Sequence, residues 1–251
     1  MKSSRVYAGA LLLILLLGWE LSARVFHVSA LVLPAPSLVL DALWRGLSSG
    51  YLWPHIWHTS LELVLGLLLG CVFGFASGVV MGESATLRRT LMPYVVTSQV
   101  IPKLALAPLF IVWFGFGITP TVVITALICF FPLMENTLTS IQQVDAQRLE
   151  LFRMLGATRW QTLWRLKIPA GLPAILAGLR VAVVLALVGA VVGEFIGSSK
   201  GLGALIIASQ GMMDTPLMFA VLLLITLLGM ALYQITLAVE KRLLKPYIAT
   251  N

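Results

Sequence analysis

"ELVLGLLLGCVFGFASGVVMG", residues 62–82, places one acidic residue ahead of twenty positions without a formal charge. A helix needs about 20 mostly apolar residues to cross the hydrocarbon core of a bilayer, so the stretch reads as a membrane span. Gly66, Gly70, Gly74, Gly78 and Gly82 recur every fourth residue along it. That spacing keeps them near one helix face, and the missing Cβ atoms let a second backbone approach closely. A glycine groove is expected, filled by another helix of the same subunit or by a neighbouring subunit.

The rest of the chain agrees with this reading. Its 251 residues are 59% hydrophobic and 11% charged, with a mean hydropathy of +0.99, outside the range of a domain that must present a polar surface to water. The formal net charge of +7 would suggest nucleic acid in a soluble protein. In a membrane protein, basic residues instead mark cytoplasmic loops and anionic lipid contacts. Cys71 and Cys129 both fall inside apolar runs, so they are read as packing residues and not as a disulfide or metal framework.

Six segments have spanning length, near residues 8–26, 59–82, 94–114, 120–139, 174–196 and 217–239, and the expected class is an all-α integral membrane protein. The first run continues through Trp19 and Glu20 without a small-residue cleavage site, and is read as a retained helix. With the N-terminus inside, the cytoplasmic segments hold Lys2, Arg5, Arg88, Arg89, Arg148, Arg153, Arg159, Arg165, Lys167, Lys241, Arg242 and Lys245, twelve of seventeen basic residues. The positive-inside rule then predicts that both termini are cytoplasmic. Residues 27–58 carry "LPAPS" and "YLWPHIWH", whose aromatic residues suit the headgroup level, and a short interfacial helix is expected there. The economical organisation is one membrane domain, with residues 1–58 as an N-terminal span plus external segment and 59–251 as a core holding a long loop over about 140–173.

Within the third span, "VTSQVIPKLALAPLFIVWFGFG", Pro102 and Pro108 each remove a backbone donor, and a kinked or partly broken helix of the kind that lines a pathway is expected. Lys103 lies about nine residues in, roughly 13 Å along the helix. A lysine at that depth costs about 2.5–3.5 kcal/mol on insertion scales, so it should face water, a carboxylate, an anion or freed carbonyls. Glu135 and Glu194 are the carboxylates considered for it.

The long loop contains "LELFRMLGATRWQTLWRLKIP", residues 149–169. Two short helices are expected, over 149–155 and 158–166, with Gly156 supplying the bend. Leu149, Phe152, Leu155, Leu163 and Trp164 can supply apolar faces, opposed by Arg153, Arg159 and Arg165. A helix-turn-helix reader of DNA is a superficial alternative, but spans tether the segment on both sides and no nucleic-acid partner is expected. A basic amphipathic pair with tryptophans also suits an anionic leaflet, and composition leaves lipid and a protein groove both open.

These residues resemble the cytoplasmic EAA loop of permease subunits in binding-protein-dependent ABC importers. Glu150 matches the acidic position of that pattern, Gly156 its glycine, Ala157 the small residue after it, and Ile168 with Pro169 its ending, while Leu151 and Phe152 stand where the pattern has alanines. "LPAPSLVLDALW", "IPKLALAPLFIVWFGFG" and "GEFIGSSKGLGALI" extend the resemblance to the nitrate, sulfonate and taurine branch, which includes importers of pyrimidine vitamin precursors. The resemblance implies a type I importer permease in the bacterial inner membrane. It also implies a permease dimer of like subunits, an external solute-binding protein, and separate ATPase subunits that bind ATP and Mg. Glu150, Leu151, Phe152, Arg153, Gly156, Ala157, Ile168 and Pro169 would then couple to the ATPase, and Pro102, Lys103, Pro108 and Glu194 are candidate pathway residues. The cargo implied is a small solute, either anionic and sulfonate-like or heterocyclic.

No G-x-x-x-x-G-K-[ST] phosphate loop occurs, so no ATPase site or cofactor is expected in this chain. "GSSKGLG", residues 197–203, reads as a turn and not a phosphate cradle. His55, His58 and Glu62 lack the H-E-x-x-H order and read as interfacial polar residues, so no metal site is expected. An intramembrane enzyme would need a base at depth, whereas His27, His55 and His58 all lie outside the apolar runs. An ion-gradient transporter using Lys103, Glu135 and Glu194 is the alternative, against which stand the long loop and the lack of an inverted repeat.

Overall fold

The computed structural model describes residues 2–26 and 29–248, with the side chains of 2–6, 8 and 246–248 set aside. The described residues form helices α1 (Lys2–Val25), α2 (Pro36–Ser48), α3 (Trp53–Glu83), α4 (Ala85–Val100), α5 (Ala107–Phe114), α6 (Ile118–Gln142), α7 (Ala146–Met154), α8 (Arg159–Thr162), α9 (Ile168–Gly197), α10 (Leu202–Gly211) and α11 (Thr215–Ile248). A 3-10 turn, Lys103–Leu106, precedes α5, and a π turn, Leu163–Lys167, joins α8 to α9.

Four helical stretches are long and apolar enough to cross a membrane: Trp53–Glu83, Ile118–Gln142, Arg159–Gly197 and Thr215–Lys245. The pair Ala85–Val100 and Lys103–Phe114 makes a fifth if counted as one span, bent by 83°. Among the described residues this is fewer than the six expected. The remaining expectation, 8–26, falls on α1, which is not among these apolar spans; residues 1, 27–28 and 249–251 lie outside the described residues.

The chain divides into two compact units, Met1–Thr59 with Lys200–Leu228, and Ser60–Ser199 with Gly229–Asn251. In the first, Leu52, Leu202, Leu205, Ile206 and Val221 form the core. The expected interfacial helix of 27–58 is α2, while "WPHIWH" is already the first turns of α3. Pro36 opens α2, where its missing N–H removes no bond, and Ala35 before it is extended. No side chain of the preceding residue caps this helix. Instead Glu20 of α1 accepts from the Ser37 N–H at 3.0 Å and the Ser37 hydroxyl at 2.8 Å, and Arg24 donates to the same carboxylate at 2.6 Å. A carboxylate at a helix N-terminus also satisfies the local dipole.

In the second unit α6 is the axis. The glycine face of α3 lies along it: a Cβ on Gly66 would meet Thr125, one on Gly70 the Ala126 carbonyl oxygen at 2.7 Å, on Gly74 the Phe130 oxygen at 2.6 Å, on Gly78 the Met134 oxygen at 2.6 Å, and on Gly82 the Ile141 side chain. The groove is therefore filled by a helix of the same chain. A second glycine face, on α9, packs on α6 too: Gly171 against Ser140, Gly178 against Asn136 and the Pro132 oxygen, Gly189 against Thr125, and Gly193 against Thr121. Hydrophobic association is weak between helices already in lipid, so close backbone packing of this kind has to hold them. Two buried hydroxyls on α6 are satisfied locally, Thr137 donating to the Leu133 oxygen at 2.7 Å and Ser140 to the Thr137 oxygen at 2.8 Å.

Candidate functional site

Two regions of the second unit carry the residues singled out by sequence. The first is the break between α4 and α5. Ile101 and Pro102 are extended, and Pro108 sits within the first two positions of α5. The two prolines accordingly begin elements and do not kink a continuous helix; the break falls where the residue before Pro102 is pushed out of helical geometry. Lys103 is half-buried, and its ammonium donates across the break to the Gln99 side-chain oxygen at 2.5 Å. Neither carboxylate considered for it from sequence is that partner. Ala107 and Phe110 pack on Ile124 of α6, whereas Val100, Val112 and Phe116 are about 80% exposed. The broken segment is thus anchored along one side and open along the other.

Glu194, expected on a pathway, is 1% exposed. A carboxylate oxygen of Glu194 on α9 and one of Glu62 on α3, itself fully buried, lie within 4.8 Å of each other. Sequence reasoning did not join these two. The available signal was that each is an isolated acid at the end of an apolar run, which is costly unless it has a partner. His55 lies in the first unit, its Nδ1 being 3.2 Å from the Gly201 nitrogen, and Thr59 accepts from the Leu202 N–H at 2.7 Å. Both fix the turn before α10, where Gly201 has a φ of +114° that suits glycine.

The second region is the loop after α6. Asp145 caps α7 by accepting from the Gln147 N–H at 2.9 Å. Past the last turn of α7, the Gly156 N–H bonds to the Arg153 oxygen and the Ala157 N–H to the Phe152 oxygen, each at 3.0 Å. With Gly156 at φ +70° this is a Schellman ending, which the glycine makes strain-free. Thr158 and Gln161 then form a reciprocal capping box that starts α8. The expected helix pair and bend are both present, α7 beginning three residues earlier than the sequence suggested. Pro169 and Pro173 cannot donate to the carbonyls one turn back, and the π turn before them takes up the mismatch, the Ile168 N–H reaching the Leu163 oxygen.

The outward face of α7 is unusual for a loop. Glu150 and Arg153 are exposed, and so are Leu151 at 55%, Met154 at 78% and Leu155 at 73%. Phe152 and Ala157 are half-buried, as are Ile168 and Pro169 farther on. Exposed aliphatic side chains ringed by charge are the composition of a protein-docking surface. Two ion pairs secure the spans behind it: Lys167 to Glu83 at 2.6 Å, joining the π turn to the end of α3, and Arg180 to Glu240 at 3.2 Å, joining α9 to α11.

Residues 64–245 match the family described as "Binding-protein-dependent transport system inner membrane component". The chain is 37% identical to the riboflavin transport system permease protein of Chloroflexus aurantiacus, over 93% of this chain and 87% of that one. It is 37% identical to the formylaminopyrimidine transport permease protein of Halalkalibacterium halodurans, over 86% of each, and 31% identical to the taurine transport system permease protein of Escherichia coli, over 92% and 86%. Among solved structures, an inward-facing MetNI methionine ABC transporter chain superposes with a TM-score of 0.68 at 20% identity, covering 76% of this chain and 95% of that one, which shows a shared fold.

Proposed function

The chain belongs to the family of binding-protein-dependent transport system inner membrane components, and from that membership we propose that it is the permease subunit of an ATP-driven importer whose force enters through residues 149–169. The observation that carries the coupling role is the α7 face, with Leu151, Met154 and Leu155 exposed beside Glu150 and Arg153. A separate ATPase seats this face in a groove, and closure of the ATPase pair on ATP moves α7 and α8. The Gly156 ending fixes the angle between them, and the helix from α8 through the π turn into α9 carries the displacement into the spans. Nucleotide drives the change only by binding one arrangement more tightly than the other.

In this reading both termini are cytoplasmic, two copies of the chain frame the pathway, and an external binding protein delivers the solute. The broken α4–α5 segment lines that pathway. The cargo is a small heterocycle of the kind the riboflavin and formylaminopyrimidine relatives carry, since these match at 37% against 31% for the taurine relative. A sulfonate is the second reading, favoured by Lys103. Loss of one charge-assisted hydrogen bond in Lys103→Gln is expected to lower uptake of an anionic solute about tenfold, from ~1.5 kcal/mol of contact energy. Unchanged uptake would leave Lys103 with its bridge to Gln99 alone.

The test of the whole reading is reconstitution. Vesicles holding this chain, its ATPase and its binding protein should accumulate solute only with ATP, and cysteines placed over residues 150–160 should crosslink to the ATPase. Uptake by this chain alone, driven by an ion gradient, would replace the proposal with a secondary transporter.

A further inference from the structure

Glu83, Leu149, Arg153, Ala157, Arg159, Thr162 and Lys167 line a cavity of about 490 Å³ that shares Arg153 and Ala157 with the proposed coupling residues. Three of these side chains are cationic and one is a carboxylate, which Lys167 already holds at 2.6 Å. Arg153 and Arg159 make no ion pair among the described residues, so the cavity has an unspent positive charge, while the Thr162 hydroxyl already donates to the Thr158 oxygen at 3.0 Å. Its place in the fold is as telling. Glu83 ends the apolar run of α3, and Lys167 immediately precedes that of α9, so the cavity lies beside the ends of two apolar runs. Beside it Trp160 and Trp164 are exposed and meet edge to face with centroids 5.5 Å apart. Exposed tryptophans one helical turn apart, next to the end of a span, suit the headgroup layer.

We infer that this cavity binds the phosphate of an anionic phospholipid, with Arg159, Arg153 and Lys167 around the phosphate oxygens and the tryptophan pair against the glycerol and upper acyl chain. Arginine suits such an anion because its planar fork donates two parallel hydrogen bonds. The lipid would lock the α8 end of the coupling element against the end of α3, and so the site, which rests on the proposed function, belongs to the joint and shares Arg153 with the face that meets the ATPase.

The experiment uses the full chain alone, purified in neutral detergent, stripped of lipid and titrated with phosphatidylglycerol or phosphatidylcholine under native mass spectrometry. Retention of phosphatidylglycerol over phosphatidylcholine is expected. Arg159→Gln should weaken retention about fivefold, as expected for one cation at a membrane surface, and Arg159→Lys should recover part of it. Glu83→Gln combined with Lys167→Gln removes a neutral ion pair, leaves the net charge of the cavity unchanged, and should weaken retention less than Arg159→Gln does. Arg88→Gln, outside the cavity, should have no effect, and thermal unfolding of each variant checks that the fold is kept. Equal retention of the two lipids, or indifference to Arg159, would overturn the assignment. So would full displacement by inorganic phosphate, which would make the free anion the ligand.

Discussion

Gly70→Leu is expected to abolish a stable fold, while Gly18→Leu leaves it intact. A Cβ at Gly70 would lie 2.7 Å from the Ala126 carbonyl oxygen and 3.2 Å from the Ala126 Cα, with the Cys129 sulfur closer still. Two of these neighbours are backbone and cannot rotate aside, so α3 must lift off α6. The lift is shared by Gly66 and Gly74, one turn away on either side. Overpacking by even a methylene costs about 1–3 kcal/mol in a tight core, and a whole leucine side chain along a helix pair exceeds that several-fold against a total stability of about 5–15 kcal/mol. Gly18 has nothing within 4 Å of its would-be Cβ, so the same substitution there meets open space. The measurement is the thermal midpoint and monodispersity of each variant in detergent. A Gly70→Leu protein that melts with Gly18→Leu would mean that the α3–α6 contact does not hold the unit together. A graded series sharpens the test, because Gly82 faces only side-chain atoms of Ile141 whereas Gly74 faces the Phe130 carbonyl. Gly82→Ala should therefore be the milder of the two.

The spans were legible because a bilayer imposes one simple requirement, an apolar run of the right length, and α3, α6, α9 and α11 each meet it locally. The small-residue face of α3 was legible for the same reason, since a period of four is written in the sequence. Its partner was not. That α6 fills the groove, and that α9 brings a second glycine face to the other contacts of α6, depends on which helices meet, and no single segment records it. The prolines of the third span announced a disturbance but not its form. Only the backbone geometry places Pro102 after the break and Pro108 at a helix start, so that one expected span becomes two helices bent by 83°. Lys103 illustrates the same limit at the scale of one side chain. Burial cost predicted that it needed a partner, and the nearest acceptor was Gln99, one turn back, not a carboxylate on another helix. Glu62 and Glu194 are the converse case, two acids far apart in sequence that the packing of α3 and α9 on α6 brings together. The bend at Gly156 was legible as a bend between two short helices, because it is set by neighbouring residues, whereas the two capping bonds and the new N-cap at Thr158 that hold it appear only in the structure.

That locality makes Gly156→Val the most informative single change in the coupling element. Gly156 has a φ of +70° and nothing within 4 Å of a would-be Cβ, so a side chain there clashes with nothing and the whole effect is backbone strain. A residue with a Cβ pays about 1–2 kcal/mol in this conformation, with β-branched residues at the upper end and asparagine well below. The Schellman bonds from Gly156 to Arg153 and from Ala157 to Phe152 are given up to relieve the strain, and α7 then leaves α8 at a different angle. No span depends on that angle, so membrane insertion and the thermal midpoint should change little. In the proposed coupling role, docking of the exposed α7 face does depend on it, and a penalty of ~2 kcal/mol in the docked state would lower ATPase affinity about 30-fold. Uptake in reconstituted vesicles should fall accordingly, in the order glycine, asparagine, alanine, valine. A valine variant that keeps full uptake would show that the angle at Gly156 carries no force. A variant that fails to insert would show instead that this turn is needed to build the spans, and that its place in the mechanism is structural.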